Sequence, residues 1–443
     1  MSRQEKAILF LALMSYLIIG IDGSIVITGL LVISAELRLS PEAASWVQNA
    51  YVLAFGGCML LGGRLGDAFG RRRVLNAALI LFGIGSLGAG MSRTAAVMII
   101  SRFVQGVGAA ALAPASLALL MDTFEGQART RAVAWYGSIS GLGLCVGLIV
   151  GGAITGYASW RYGFWVNIPL IVLMLWLSWR YVPDRPTATG QHFDIVGTLL
   201  SVAGIVALVY AIDGAKEKAI WGMGAAILLL LFIWVESRAA MPVMPLRLYH
   251  NRKRSVAYMA RFLLIAALMG YNLTTSEYMQ SVFGFSPLQA GCAFIPMTIL
   301  TFLTAIVTPR LVSHYGNEMM TLVGLLLLAA GFAGLVWGAD GQSYWRDLLL
   351  PMSLIGVGQG LAMSPLTNLG IQGVPADDAG AASGVVNMVH QIGGAVGLAL
   401  MTTATLGMQN MLLRYHRSML IALGCIVLAL CLIAAPGIGS QRK

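Results

Sequence analysis

Of the eighteen acidic residues in this chain, only Asp22 and Glu277 fall clearly inside long apolar runs. Placing a charge at a bilayer centre costs at least about 2.5–3.5 kcal/mol on insertion scales. A carboxyl group held there has two uses. It pairs permanently with a cation, or it takes up and releases a proton as its surroundings change, since burial raises its proton affinity and a neighbouring cation lowers it. The cation at hand is Arg102. Asp22 lies sixteen residues after Lys6, about 24 Å along a helix, while Arg102 enters its own run from the opposite end by about 9 Å. The two therefore reach comparable depth. Proton exchange is the reading taken for Asp22, with Arg102 as partner. Glu277, near the end of its run, is a second candidate for proton coupling, with a carboxylate snorkelling to the interface as the alternative. His390 is a third, because imidazole titrates near neutral pH, although a lone membrane histidine also serves as a hydrogen-bonded packing residue.

Neutral polar residues form two stripes. Asn387, His390, Gln391 and Gly394 recur at i, i+3, i+4 and i+7, and Asn272, Ser276 and Gln280 at i, i+4 and i+8, with Tyr271 and Tyr278 beside them. Such stripes hold helices together or line a cavity, and the second is read as cavity lining. Gly143, Gly147 and Gly151 recur every four residues, and Gly152 with Gly156 repeats the step. That smooth face lets another helix pack closely.

These residues need membrane-spanning elements to position them. The chain has 443 residues, 58% apolar and only 10% charged, with a mean hydropathy of +0.81. Soluble chains carry about 25% charged residues. A soluble enzyme, a nucleic-acid-binding domain and a disordered chain are thereby excluded, and lipid is the expected solvent. Fourteen apolar stretches of spanning length are counted, among them 7–33, 44–63, 163–181, 288–310 and 319–338. The first is too long for a cleaved signal and lacks a small-residue cleavage site, so it is expected to be a span. The cysteines (58, 145, 292, 425 and 431) match no metal site and are expected to be small buried packing residues.

The net charge of +10 is topological. Eighteen Lys and Arg residues flank the spans on the side of the N-terminus and eight on the other, which places both termini in the cytoplasm. The sequence also repeats weakly. At an offset of 246, Ser40-Pro41 returns as Ser286-Pro287, Arg64-Leu65 as Arg310-Leu311 and Gly70 as Gly316; at 250, Gly106-Val107-Gly108 returns as Gly356-Val357-Gly358. The expected fold class is an all-α membrane protein of fourteen transmembrane helices, two pseudo-repeated six-helix bundles plus two inserted helices. Its parts are an N-terminal bundle (1–186), two additional helices (187–236), a basic cytoplasmic loop (237–255) and a C-terminal bundle (256–443). Parallel half-repeats of this kind belong to secondary transporters.

Gly63-Arg64-Leu65-Gly66-Asp67-Ala68-Phe69-Gly70-Arg71-Arg72-Arg73 resembles the signature between spans 2 and 3 of the major facilitator superfamily. Arg102 to Ala109 is similar to its span-4 motif. Ile21 to Val26, Trp46 to Tyr51 and Ser159 to Pro169 resemble stretches of its fourteen-span drug:proton antiporter branch. The resemblance implies a cytoplasmic gate at Gly63, Asp67, Gly70 and Arg71, and proton coupling at Asp22 and Arg102. Gln48, Tyr51 and Gln105 join Tyr271, Asn272, Gln280, Asn387 and Gln391 as expected substrate-cavity residues. Two departures stand out. The span-5 motif, usually Gly-Pro-x-x-Gly-Gly, reads Gly147-Leu148-Ile149-Val150-Gly151-Gly152, and Ser313 stands where the first half has Asp67.

The function implied is a proton-coupled exporter of amphipathic drugs or toxic small molecules working by alternating access. It would reside as a monomer in a bacterial cytoplasmic membrane, with small-molecule substrate, protons and lipid as partners and no nucleic acid. No cofactor is expected, and no Gly-x-x-x-x-Gly-Lys-Ser/Thr loop suggests ATP. A proton symporter or facilitator for a metabolite fits the same fold. A membrane-embedded enzyme or a sensor fits less well, for want of clustered catalytic residues or a soluble domain.

Overall fold

The computed structural model describes residues 1–183, 195–213, 217–239, 244, 246–374 and 379–435, and the regular structure among them is helical. Helix α1 spans Arg3–Leu37, α2 Pro41–Phe69, α3 Arg71–Met91, α4 Ala95–Thr123, α5 Gly126–Tyr157, α6 Trp160–Trp165, α7 Asn167–Tyr181, α8 Ile195–Asp213 and α9 Lys218–Arg238. After a 3-10 turn at Leu246–His250 come α10 (Arg252–Ser281), α11 (Pro287–Ala293), α12 (Ile295–Gly338), α13 (Tyr344–Asp347), α14 (Leu349–Ile371), α15 (Ala379–Ala404) and α16 (Met411–Ala434). Ten helical stretches among the described residues are long and apolar enough to cross a membrane. Large apolar side chains such as Ile227, Leu230 and Trp234 of α9 face outward. In water such a surface would aggregate; in hydrocarbon it is solvated.

The helices outrun the apolar stretches because hydrophobicity marks the membrane, whereas caps mark the helix. Ser2 and Glu5 form a capping box that starts α1 ahead of residue 7. Arg38, at φ 51°, ends it beyond residue 33. Ser40 and Ser286 each cap a helix whose first residue is proline, accepting from the backbone N–H of Ala43 and Gln289. Gly70 (φ 91°) and Gly316 (φ 82°) turn the chain in a left-handed conformation that glycine adopts without strain.

Two expected boundaries differ. The gap anticipated at 311–318 is helical apart from the single break at Gly316. The stretch 163–181 is divided at Val166 into α6 and α7, and Pro169 lacks the N–H that would bond the Trp165 carbonyl. By contrast α5, without the motif's proline, runs unbroken from Gly126 to Tyr157. Four of the cysteines also correct the expectation of burial, the side chain of Cys145 lying outside the described residues. Cys292 and Cys431 are exposed and Cys58 and Cys425 half-buried, which a thiol tolerates when the outer solvent is apolar.

The chain divides into two compact units, Met1–Ala207 with Met223–Val243, and Leu208–Gly222 with Met244–Lys443. Helices α8 and α9 are thus each shared out. Gly204 of the first unit packs on Leu228 and Leu229, whereas the end of α8 is tied into the second unit by the Thr403 hydroxyl, which donates to the Ile212 carbonyl at 2.6 Å.

Candidate functional site

The first unit converges on one carboxylate. Asp22 of α1 and Arg102 of α4 form an ion pair, Nη1 of the arginine donating to Oδ2, and neither side chain has any exposed surface. Gln105, one turn along α4, donates from Nε2 to Asp22 Oδ1 at 2.5 Å and accepts from Arg102 Nη1 at 2.7 Å. Arg102 Nε reaches the Val47 carbonyl at 3.1 Å, and its Cζ lies 4.2 Å from the centre of the Tyr51 ring. A cation so placed gains from both the carboxylate and the ring face. Asn167, the first residue of α7, donates to Asp22 Oδ1 at 3.4 Å and to Ser86 Oγ of α3 at 3.2 Å; Gln105 also donates to that hydroxyl, at 2.8 Å.

Close helix approach makes this convergence possible. A Cβ on Gly85 of α3 would lie 2.7 Å from the Gln105 backbone nitrogen, so only glycine lets α4 bring that side chain in. On the other side, the α5 glycines pack on the stretch of α1 that carries Asp22. Gly143 faces Leu17 and Gly20, Gly147 faces Ile21 and Ser24, and Gly151 faces Ile25 and Thr28. Gly152 is buried nearby in sequence.

The expected gate is partly described. Gly70 supplies the turn between α2 and α3, and Arg71 pairs with Asp122 at the end of α4, Nε to Oδ2 at 3.3 Å. Arg71 and Asp122 line a cavity with Ser2, Glu5 and Thr123. Gly63 and Asp67 belong to α2, but their side-chain environment lies outside the described residues.

In the second unit the expected residues do not meet at one point. Glu277 of α10 pairs with Arg414 of α16 at 2.9 Å, the two side chains being 30% and 26% exposed. Next to them Tyr278 and Tyr415 stack with ring centres 4.1 Å apart. His390 of α15 faces Arg261 of α10, Nδ1 to Nη2 at 3.3 Å, and Arg261 also donates to the Thr367 hydroxyl (2.7 Å) and the Met363 carbonyl (3.2 Å) of α14. A guanidinium only donates, so Nδ1 of His390 accepts and the ring is neutral in this contact. Tyr271 is fully enclosed by Phe294, Phe332 and Met297. Gln280 donates to Ser276 on its own helix at 3.1 Å. Asn272, Asn387 and Gln391 are half-buried. In the first unit Gln48 and Tyr51 are buried, and Gln105 belongs to the carboxylate network instead of an open surface.

Sequence reasoning gave no role to Ser86, Asn167, Arg261 or Arg414. Asn167 had a signal, being polar at the start of an apolar run two residues before a proline. Ser86 had none, lying among the small residues of α3. Arg414, a flanking cation by sequence, occupies the first turn of α16.

The family profile "Major Facilitator Superfamily" matches residues 12–398. The puromycin resistance protein of Streptomyces alboniger is 36% identical over 412 residues, covering 90% of this chain and 81% of its own. The cephamycin export protein of Amycolatopsis lactamdurans is 34% identical over 410 residues, covering 90% and 84%. Among solved structures, a D-xylose–proton symporter superposes with a TM-score of 0.70 at 18% identity over 99% of both chains, a likeness of fold. The apolar helices, the profile along most of their length and the relatives agree that the chain belongs to the Major Facilitator Superfamily, as a multi-pass membrane transporter.

Proposed function

We propose that this chain exports amphipathic antibiotics or similarly toxic small molecules in exchange for protons, by alternating access. Its relatives are resistance and export proteins for puromycin, cephamycin and lincomycin. The observation that carries the proton half is the fully enclosed Asp22–Arg102 pair. A proton reaching Asp22 cancels its charge and weakens its hold on Arg102, and that change biases the transporter between its two states. One charge moving down 100 mV supplies about 2.3 kcal/mol. Tenfold accumulation of a neutral substrate needs about 1.4 kcal/mol, so one proton suffices for more than tenfold. The proton gradient is then the energy source and no cofactor is needed. Glu277 and His390, held by Arg414 and Arg261, serve as ties of α10.

The architecture proposed is fourteen spans, six plus two plus six, acting as a monomer in a bacterial cytoplasmic membrane with both termini inside. Repeated local geometry supports two related halves. Gly108 packs on Ala78 and Phe82, and Gly358 packs on Gly324 and Leu328, each partner shifted by the same 246 positions that separate Gly70 from Gly316. The arginine and lysine asymmetry supports the orientation.

Purified protein in liposomes with an imposed pH gradient tests the coupling, using puromycin, cephamycin and lincomycin as probes. Asp22→Asn is expected to bind whichever compound the wild type carries and to lose its uphill transport. Undiminished uphill transport by that variant removes Asp22 from the coupling role.

A further inference from the structure

Asp22 is surrounded by more than its counter-ion. Its Oδ2 belongs to Arg102, while its Oδ1 accepts two neutral amide N–H groups, from Gln105 and Asn167. Those two amides are joined by one hydroxyl, since Ser86 Oγ accepts from both. Ser86, Gln105 and Asn167 each have no exposed surface, so water does not compete for these contacts. The arrangement has a cost. With Nδ2 turned to the carboxylate and to Ser86, the Asn167 Oδ1 is left buried without a hydrogen-bond partner among the described residues. An unsatisfied buried acceptor costs about 1–3 kcal/mol, so the amide gives up its own acceptor to face the anion. The reverse orientation would set Asn167 Oδ1 against Asp22 Oδ1, oxygen against oxygen, and lose the donation to Ser86 as well.

We propose that Asn167 and Ser86 are a positioning pair that sets the pH at which Asp22 takes up its proton. This rests on the reading of Asp22 as the coupling carboxylate. Both side chains are fully enclosed and act through Asp22: Asn167 donates to its Oδ1, and Ser86 holds the Asn167 and Gln105 amides in the donating orientation. Donors to the ionised form favour that form, so the pair keeps Asp22 ionised to lower pH than Arg102 alone would. Among the described residues, the charged and titratable groups facing Asp22 are Arg102 of α4 and Tyr51 of α2. Helices α3, α5 and α7 present the neutral Ser86, Gly147 and Asn167. The location of Asn167 matters too. It follows the break at Val166, and Trp160 and Arg161 of α6 on the far side of that break both bond Glu36 of α1. Four residues after Asn167, Ile171 of α7 packs on Gly83 of α3, so the chain is held on both sides of Asn167 and the amide is fixed relative to the carboxylate.

The test needs no substrate. In purified protein, the infrared C=O band of protonated Asp22 is identified by its loss in Asp22→Asn and then followed through a pH titration. Asn167→Leu, close in size and lacking the donor, is expected to move the midpoint of that band in the alkaline direction by about 0.4–1.1 pH units, the worth of one hydrogen bond. Ser86→Ala is expected to move it the same way by less, and the double variant by less than the sum of the two, because they act through one network. Asn167→Gln, which keeps an amide donor, is expected to restore part of the shift. If Asn167→Leu does not fold, Ser86→Ala carries the same test. A band that titrates in the wild type but has the same midpoint in Asn167→Leu and Ser86→Ala overturns the assignment of the pair and leaves the coupling role of Asp22 standing. A wild type with no titrating band that Asp22→Asn removes overturns both.

Discussion

Each unit of this transporter holds a carboxylate–guanidinium pair between helices, and the two pairs are built to different ends. Asp22 and Arg102 are fully enclosed, and two further side chains donate to the same carboxylate. Glu277 and Arg414 keep about a quarter or more of each side chain exposed, at the ends of α10 and α16. Enclosure is what makes a pair consequential. An exposed ion pair is worth about 0–1 kcal/mol, because solvent can replace either partner. Removing one partner of a buried pair costs about 3–5 kcal/mol, because the other charge is left stranded. Loss of one partner is therefore expected to cost the fold far more at the first pair than at the second.

The largest effect expected from this contrast is that of Arg102→Met. It leaves the Asp22 carboxylate enclosed with only neutral donors, and should lower stability by about 3–5 kcal/mol. Thermal melting of purified protein checks this. Adding Asp22→Asn to that variant should recover most of the loss, since no charge remains to be stranded. The contrast breaks if Arg102→Met melts no lower than Arg414→Met.

Gly147→Val comes next. Its Cβ would lie 2.7 Å from Ser24 Cβ and 2.8 Å from Ile21 Cα, and a backbone atom cannot swing aside. Overpacking of this kind costs about 1–3 kcal/mol and pushes α1 away from α5, displacing Asp22. The matched control is Gly424→Val, where a Cβ meets nothing within 4 Å. Melting temperature and uphill transport should fall in the first and hold in the second. Equal behaviour of the two would mean that the α1–α5 contact does not position the carboxylate.

How much of this was legible in the sequence differs between the units for the same physical reason. Depth along a helix follows from counting residues, so the level shared by Asp22 and Arg102 could be read from Lys6 and from the start of α4. Helix rotation and neighbour identity are set by packing, which counting does not reach. Ser86 illustrates this, being one small residue among the glycines of α3. In the second unit, counting put Tyr271 beside the polar stripe of Asn272, whereas packing turned its ring into Phe294 and Phe332. Helix ends were blurred because hydropathy reports the membrane, while Ser2, Ser40 and Ser286 determine where helices begin.

The smallest effect is expected from Glu277→Gln. The Arg414 guanidinium loses its anion but is not enclosed, since it lies in the first turn of α16 with its side chain 26% exposed. The cost should be about 0.2–1 kcal/mol, and less at high salt, where the wild-type pair is itself screened. Stacking of Tyr278 on Tyr415 and the contact of Thr275 with the Tyr415 hydroxyl at 3.2 Å still join α10 to α16, so the helix contact survives the substitution. Melting at low and high salt measures the stability change, and pH-gradient-driven transport in liposomes measures the functional one. Transport close to wild type is expected. A loss as complete as that proposed for Asp22→Asn would show that proton-driven transport needs the less enclosed pair as well, and enclosure would no longer separate the two.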